Sequence, residues 1–392
     1  MALKVLDLFC GAGGFSLGFQ QAGFEMLAGL DADEDALDTY RRNHSAPGYC
    51  LDLGAHEPEE VLDLLDIHPD DVDVVIGGPP CQGLSSAGHR DPDDPRNTLL
   101  LWFLDYVDAT SPDAFVIENV RELTWDRNAD LFDALLSRAD ELGFETEYQI
   151  LTASDFGVPQ KRKRVFVVGV RDGTPTWPEP TTTDDPPSVW SVLHDLSSRR
   201  LLNNTESDHR EGTRNQWRDT EYNRDPNGSN HQVRLDPNSP SRTITNSNAH
   251  WHSGKPRALT VREEAAIQSF PLGYEFRGKP TSQSEQVGNA VPPRLAKHVA
   301  FALLDSLGKS PKTNPTESVG MTMKQVAALS GRLTPREVEA LLFRANGWEW
   351  SDIAEEMGVA VSTAHEYHSR AEEKYQEALD TAVAFERLTR KE

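Results

Sequence analysis

Cysteine, long apolar runs and positive charge are scarce in this sequence. Cysteine occurs only three times in 392 residues, at Cys10, Cys50 and Cys81, which is too few for a disulfide framework or a spaced metal cluster. We therefore expect no metal site and a reducing, cytoplasmic location. No apolar run approaches the roughly 20 residues of a transmembrane helix, and the chain opens directly into a strand and turn. Neither a membrane span nor a signal peptide is predicted.

Positive charge is outweighed, because 39 Lys and Arg face 63 Asp and Glu and leave a formal net charge of −24. Proteins that bind nucleic acid usually present a basic surface to the phosphates, so this total alone argues against DNA. The acids, however, are spread along the chain, whereas residues 161–164 are all Lys or Arg. This pattern predicts an acidic surface with one basic cleft. It also resembles the composition of halophilic proteins, in which salt screens repulsion from phosphates.

Strand and helix patterns alternate through the first part of the chain. Apolar runs predict strands at 5–9, 26–30, 72–76, 114–117, 147–151 and 164–170, and amphipathic runs predict helices at 15–21, 35–42, 98–108 and 129–142. This alternation predicts an α/β fold with a mostly parallel sheet. Ligands of such sheets bind at the carboxyl ends of the strands.

A glycine-rich turn, Asp-Leu-Phe-Cys-Gly-Ala-Gly-Gly (7–14), follows the first predicted strand. Small residues there let backbone amides approach a ligand, and the next helix N-terminus favours a carboxylate. A turn of this kind is equally a plain strand–helix connection. Asp31, at the end of the second strand, can accept hydrogen bonds from two ribose hydroxyls. Asp52, at the end of a third strand, can contact an adenine amino group. With Asp7, these acids favour an adenosyl ligand.

Cys81 is the candidate nucleophile. It stands in Gly-Gly-Pro-Pro-Cys-Gln-Gly-Leu-Ser (77–85), where prolines stiffen the approach and glycines permit a mobile loop. We interpret Cys10 and Cys50 as small buried residues.

Glu118 and the basic run supply the other candidate catalytic residues. Glu118 ends a central strand, where partial burial would keep its proton near neutral pH and allow general acid catalysis. In Gln-Lys-Arg-Lys-Arg (160–164), Arg162 and Arg164 are two positions apart at the start of a predicted strand. They are therefore predicted to share one face and to bind phosphate or a base carbonyl.

Six sequence blocks stand in the order found in the C5 cytosine DNA methyltransferase family, which the chain resembles over roughly residues 3–305. They are the turn at 7–14, Pro-Pro-Cys-Gln-Gly-Leu-Ser (79–85), Glu-Asn-Val (118–120), the basic run at 160–164, Leu-Thr-Val-Arg-Glu (259–263) and Gln-Val-Gly-Asn-Ala-Val-Pro-Pro (286–293). The resemblance implies a Rossmann-like, S-adenosylmethionine-dependent catalytic domain. It divides the chain into a catalytic lobe (1–170), a small target recognition region (171–256) and a return to the catalytic domain (257–307).

The resemblance also implies the reaction, methyl transfer to carbon 5 of a flipped-out cytosine in a specific sequence of double-stranded DNA. Carbon 5 is too weak a nucleophile, so the Cys81 thiolate adds to carbon 6 while Glu118 protonates nitrogen 3. Arg162 and Arg164 would hold the cytosine carbonyl oxygen and the adjoining backbone. The cofactor site would comprise the turn residues Asp7, Gly11, Gly13 and Gly14 and, by matching position, Phe9, Asp31, Asp52, Pro79, Asn97, Leu99, Asn289 and Ala290. Arg262 with Glu263 would brace the recognition region.

The C-terminal segment is predicted to be a separate helical domain, 321–392, after an aperiodic linker at 308–320. Leu-Thr-Pro-Arg-Glu (333–337) offers a helix start, Gly347 ends that helix, Ser351 caps a second helix through Met357, and 362–375 is a third. The pattern resembles the helix-turn-helix of response-regulator output domains and sigma factor region 4. Its reading helix has few cations for phosphates, so DNA contact and self-association both stay open.

Two alternatives to the DNA methyltransferase are retained. A relative of this family methylates transfer RNA, although the long recognition region and the helix-turn-helix favour DNA. A non-catalytic DNA-binding regulator is the other, but every residue that the chemistry requires is present. Gly-Pro-Pro-Cys (78–81) excludes the amino-methylating enzymes. The target sequence and a cognate restriction enzyme as partner are left open.

Overall fold

The computed structural model describes residues 2–80, 99–193, 196, 203–206, 217, 220–223, 233–245, 250–309, 340 and 350–370. The predicted nucleophile Cys81 and the predicted cofactor residue Asn97 lie outside these ranges. The chain divides into two compact units, Met1–Phe270 with Tyr274–Pro311, and Pro271–Gly273 with Lys312–Glu392. Among the described residues, no helix is long and apolar enough to cross a membrane.

A seven-stranded sheet forms the first unit. Its strands are β1 (Lys4–Leu8), β2 (Glu25–Asp31), β3 (Gly48–Cys50), β4 (Val74–Gly77), β5 (Ala114–Val120), β6 (Glu145–Thr152) and β7 (Lys163–Val170), in the spatial order β3-β2-β1-β4-β5-β7-β6. All neighbours from β3 to β5 are parallel, and β7 is antiparallel to both β5 and β6. The predicted α/β fold with a mostly parallel sheet is confirmed.

The helices of the first unit connect the strands and close the chain. They are α1 (Gly14–Gln21), α2 (Glu34–Asn43), α3 (Pro58–Leu64), α4 (Leu99–Thr110), α5 (Ala129–Glu141), α6 (Trp190–Leu193), α7 (Val261–Ile267), α8 (Pro280–Asn289) and α9 (Pro293–Ser306). Helix α2 shows why such segments are helical: the Asp33 side chain accepts from two backbone amides at its start, and Arg41 and Arg42 lie in its last turn.

The core lies on both faces of the sheet, because successive side chains of a strand point to opposite faces. On β1, Val5 belongs to one apolar cluster, and Leu6 and Leu8 belong to the other. Helix α9 packs on the same face as α1, so closely that a Cβ atom on Gly18 would lie 2.4 Å from the Ala296 Cβ. The end of this unit therefore returns to the first helix.

The second unit contains α10 (Trp350–Met357) and α11 (361–370) among its described residues. Ile353, Ala354 and Met357 pack with Ala340 and Ala364, and the turn at Gly358 has a φ of 63°. Helix α10 already includes Trp350, which corrects the prediction that Ser351 is its cap. The predicted helix start at 333–337 and the stop at Gly347 lie outside the described residues.

Candidate active site

The glycine-rich turn between β1 and α1 has an unusual backbone. Phe9, Gly11 and Gly13 have φ values of 59°, 52° and 87°, in the left-handed region that glycine tolerates best. A Cβ atom on Gly11 would meet no atom within 4 Å, whereas one on Gly13 would lie 2.3 Å from His44 Nε2. The turn is thus packed against protein at Gly13 and open at Gly11. Gly11 is therefore the part of the turn that a ligand can approach.

Asp31 lies beside this turn at the end of β2, and Asp52 follows β3, the next strand of the sheet. The Gly11 amide donates to Asp31 Oδ2 at 2.8 Å, and the Asp33 amide donates to Oδ1 at 2.9 Å. Burial raises the pKa of Asp31. Asp52 is exposed, and its carboxylate accepts from the Gly54 amide at 3.2 Å.

The remaining predicted cofactor residues adjoin the same turn and strand ends. Leu99 is close to the Asp52 loop, because a Cβ atom on Gly54 would lie 2.8 Å from Leu99 Cδ2. Ala290 packs against the apolar cluster that contains Ala12 of the turn. Asn289 directly precedes it as the last residue of α8. A Cβ atom on Gly14 would lie 2.3 Å from the Val291 carbonyl oxygen, so the returning chain closes on the turn.

Asp7 is placed differently from the prediction. Its side chain is fully buried beneath the turn, where Ser16 Oγ donates to Asp7 Oδ2 at 2.5 Å. Burial raises the pKa of Asp7 to about 8. The structure therefore corrects the expectation that its carboxyl meets an adenosyl group, because the side chain shares a face of β1 with Val5 and points into the core.

Glu118 and Arg164 form the polar centre at the carboxyl end of β5. The side chain of Glu118 is 9% exposed, and its Oε1 lies 2.9 Å from Arg164 Nε. Burial raises the pKa of Glu118, against the opposing effect of the two nearby guanidinium groups, Arg164 first. A carboxyl group in this setting can hold a proton and deliver it to a bound base.

The segment that leads to Cys81 is fixed beside this carboxyl group. Asn119 Nδ2 donates to the Pro79 carbonyl oxygen at 3.1 Å. A Cβ atom on Gly78 would lie 3.4 Å from Glu118 Oε2. Pro79 therefore stands at the Glu118 edge, and the chain continues from it to Cys81 through one further proline.

Arg162 does not join Glu118 at the exposed edge, which corrects the prediction that it binds the base. Its side chain is 1% exposed. The Nη1 atom donates to the Ile244 and Gly288 carbonyl oxygens at 3.1 and 2.9 Å, and Nη2 donates to the Asn289 carbonyl at 3.3 Å. The strand begins at Lys163, so the alternation of faces does not extend to Arg162. It positions neighbouring segments, and Arg164 alone of the two pairs with Glu118.

Two residues that support the turn had no signal in the sequence. The Tyr274 hydroxyl donates to the Ala12 carbonyl oxygen, and His44 Nε2 lies 2.8 Å from the same hydroxyl. Burial lowers the pKa of His44 to about 4, so the ring is neutral at pH 7. The other ring nitrogen, Nδ1, lies 2.7 Å from Gln20 Oε1. His44 and Tyr274 are separated by 230 positions, beyond the reach of local patterns.

Buried polar contacts connect α7 with the predicted recognition region and its border. Arg257 Nη1 and Nη2 donate to the two carboxylate oxygens of Glu263, each at 2.7 Å, a bidentate geometry that is strong when buried. Arg262 Nη2 donates to Asn203 Oδ1 at 3.3 Å. Arg262 thus contacts Asn203 of the predicted recognition region, and Glu263 contacts Arg257 just after its predicted end.

A family model for the C-5 cytosine-specific DNA methylase matches residues 3–305. The chain belongs to this family. The type II methyltransferase M1.HphI of Haemophilus parahaemolyticus is 38% identical to this methylase over 330 residues, which cover 78% of this chain and 87% of the relative. M.AplI of Arthrospira platensis is 35% identical over 331 residues, covering 80% and 89%. Residues 323–374 of the methylase match the model of sigma-70 region 4, which supports the helix-turn-helix prediction.

The methylase also shares its fold with solved structures. A DNA modification methyltransferase encoded within a prophage (E. coli) superposes with a TM-score of 0.65 at 24% identity, covering 78% of this methylase and 100% of that chain. Its identity is low enough that the likeness concerns the fold. Of the described blocks, 7–14 includes the turn after β1, and Glu118 to Val120 end β5.

Proposed function

We propose that this protein is a DNA (cytosine-5-)-methyltransferase that uses S-adenosylmethionine and forms a covalent adduct between Cys81 and the target cytosine. The observation that carries the proposal is the buried Glu118–Arg164 pair at the end of β5, with Oε1 and Nε 2.9 Å apart. A protonated Glu118 can donate to ring nitrogen 3, and Arg164 can donate to the adjacent carbonyl oxygen. Both contacts draw electrons from the ring and favour thiolate addition at carbon 6.

Cys81 takes part in both halves of the reaction. Addition of the Cys81 thiolate to carbon 6 makes carbon 5 nucleophilic, and bound S-adenosylmethionine supplies the methyl group. Loss of the carbon 5 proton to a base then lets the carbon 6–sulfur bond break and returns the thiol. Because a stacked base is out of reach, the cytosine must leave the duplex, at a cost of a few kcal/mol.

The geometry at the glycine-rich turn supports the proposed cofactor site. The open space above Gly11 can admit a ligand, and the Asp31 carboxylate beside it can accept ribose hydroxyls. We assign this site to Phe9, Gly11, Gly13, Gly14, Asp31, Asp52, Pro79, Asn97, Leu99, Asn289 and Ala290. Gly13 and Gly14 contribute by allowing close packing beneath the turn, and Asp7 is omitted because it is buried.

A biological role follows from the relatives. M1.HphI and M.AplI are named type II methyltransferases. We propose the same role here, modification of one short DNA sequence that a cognate restriction enzyme also recognises.

The test is methylation by the purified full-length protein. Labelled S-adenosylmethionine is incubated with mixed-sequence duplex DNA at high potassium chloride, and cytosines that resist bisulfite conversion are mapped. Cys50 is exposed, which corrects the interpretation of it as a buried residue. Cys81→Ser should abolish labelling, and Cys50→Ser serves as the matched control. Label at one short sequence that needs Cys81 supports the proposal. Label only on transfer RNA would assign the other substrate, and no label would favour a non-catalytic regulator.

A further inference from the structure

Helix α8 ends at the proposed cofactor residue Asn289, and side chains from other segments hold its last turn. A helix leaves its last four carbonyl oxygens without partners inside the helix. Here Gln268 Nε2 donates to the Val287 carbonyl oxygen at 2.7 Å. Arg162 Nη1 donates to the Gly288 carbonyl at 2.9 Å, and Nη2 donates to the Asn289 carbonyl at 3.3 Å. Two side chains therefore satisfy three successive carbonyls of α8.

Both donors are enclosed by protein, so their contacts with α8 are hard to replace. Arg162 is 1% exposed, and Gln268 is fully buried. Gln268 Oε1 also accepts from Gln160 Nε2 at 2.9 Å, which fixes its amide at both ends. A buried polar group that loses its partner costs about 1–3 kcal/mol, and a cation at the C-terminal end of a helix is favoured by the helix dipole. The last turn of α8 is therefore held in one position.

The end of α8 is buried on its backbone side and open at the residues assigned to the cofactor. Val287 and Gly288 are buried, whereas Asn289 is exposed. Ala290 is half-buried and packs against the apolar cluster that contains Ala12 of the glycine-rich turn. A shift of the held carbonyls would move Asn289 and Ala290 relative to that turn.

We propose that Arg162 and Gln268 are positioning residues for S-adenosylmethionine, because they hold the end of α8 where Asn289 and Ala290 can face the cofactor. This inference rests on the proposed function, since it requires S-adenosylmethionine as the ligand of the glycine-rich turn. Arg162 and Gln268 act through the backbone of residues 287–289 and need no contact with the ligand. Their loss should therefore weaken cofactor binding more than it slows methyl transfer.

Arg171 offers a matched control at the other end of β7. Arg162 precedes the first residue of this strand and Arg171 follows the last, so the two arginines lie at opposite strand ends. Arg171 Nε donates to the Pro112 carbonyl oxygen, and Nη1 donates to the Leu142 carbonyl, each at 2.9 Å. Replacement of either arginine by Met removes a guanidinium group that holds backbone carbonyls. Arg162 holds the end of α8, whereas Arg171 holds the segments that lead into β5 and β6.

Calorimetry on the full-length protein tests the proposal, because it measures binding of S-adenosylmethionine without methyl transfer. Arg162→Met and Gln268→Met should each raise the Kd about 10- to 100-fold, as when residues that orient the direct ligands of a metal are removed. Arg171→Met should leave the Kd at the wild-type value. Arg162→Lys keeps the charge and three donors, so it should restore part of the affinity. In methylation assays, the KM for S-adenosylmethionine should rise in Arg162→Met and Gln268→Met by a larger factor than kcat falls.

Thermal unfolding shows whether each variant is folded at the temperature of the titration. If Arg162→Met is unfolded, Gln268→Met decides the test, since it removes one carbonyl partner and no charge. An unchanged Kd in folded variants, or an equal rise in Arg171→Met, would overturn the inference while cofactor binding by the wild type stands. A wild type that does not bind S-adenosylmethionine would instead overturn the proposed function together with this inference.

Discussion

Asp7→Asn should change how stability depends on pH. The Asp7 carboxyl is fully buried, and its pKa is raised to about 8, chiefly by burial, with the Ser16 hydrogen bond opposing and Asp31 adding to the shift. Between pH 5 and 7 the folded protein therefore keeps a proton that the unfolded chain, with a pKa near 3.8, has released. Stability from this group is greatest below the unfolded pKa and is lost as pH rises towards the folded pKa. The loss is about 1.4 kcal/mol per pH unit.

The Asn variant lacks this titration. The unfolding free energy of the Asn variant minus that of the wild type should rise by about 2.5 kcal/mol from pH 5 to pH 7. Denaturant unfolding at three pH values, at constant salt, measures the difference, and contributions from other groups cancel. Ser16→Ala is the control, because it removes the hydrogen-bond donor but keeps the carboxyl, so its profile should remain parallel to that of the wild type. Parallel profiles for Asp7→Asn and the wild type would show that Asp7 is ionised when buried and would refute the reasoning.

Three further predictions concern the site. Glu118→Gln should lower the methylation rate about 10²- to 10⁴-fold, and the wild-type rate should fall as pH rises through the raised pKa of Glu118; a pH profile shared by both proteins would contradict this role. Gly11→Ala should cost about 1–2 kcal/mol of stability from backbone strain and should also weaken cofactor binding. Gly13→Ala should destabilise the fold further, because its Cβ atom would lie 2.3 Å from His44 Nε2. Calorimetry measures the cofactor affinity of each variant, and thermal unfolding measures its stability. Tyr274→Phe should cost about 1–3 kcal/mol, because it leaves the Ala12 carbonyl without its buried donor, and equal unfolding midpoints would contradict it.

The strands, and the sheet edge formed by their carboxyl ends, could be predicted because short local sequence patterns mark them. Each predicted strand of the first lobe overlaps an observed one, with bounds that differ by at most three residues, since apolar runs flanked by turn residues mark strands in any context. Glu118 could be placed at a strand end for the same reason. The short strand β3 had too few residues to give a range, although Asp52 was expected at its end.

The orientation and distant partners of side chains could not be predicted. Asp7 and Arg162 both lie within the family blocks, yet one points into the core and the other precedes its strand by one residue. The His44–Tyr274 contact joins segments 230 positions apart, and only the folded chain brings them together. Sequence patterns therefore located the site, but they did not separate residues that face a ligand from residues that hold the site in shape.

The buried contacts of residues 160–162 bear on how this enzyme could be re-engineered. Arg162 reaches the Ile244 carbonyl, Gln160 Oε1 accepts from the Ile244 amide at 2.9 Å, and the Lys161 amide donates to the Ser241 carbonyl at 2.8 Å. Residues 241–244 of the predicted recognition region are thus hydrogen-bonded to the segment that leads into β7. A chimaera that exchanges recognition regions to change the target sequence should keep residues 241–244 from the host, so that the transplanted segment ends before Ser241. Because these partners are backbone atoms, a donor segment extended through Ile244 has to follow the same backbone path, or it leaves buried polar groups of residues 160–162 unpaired beside Arg164.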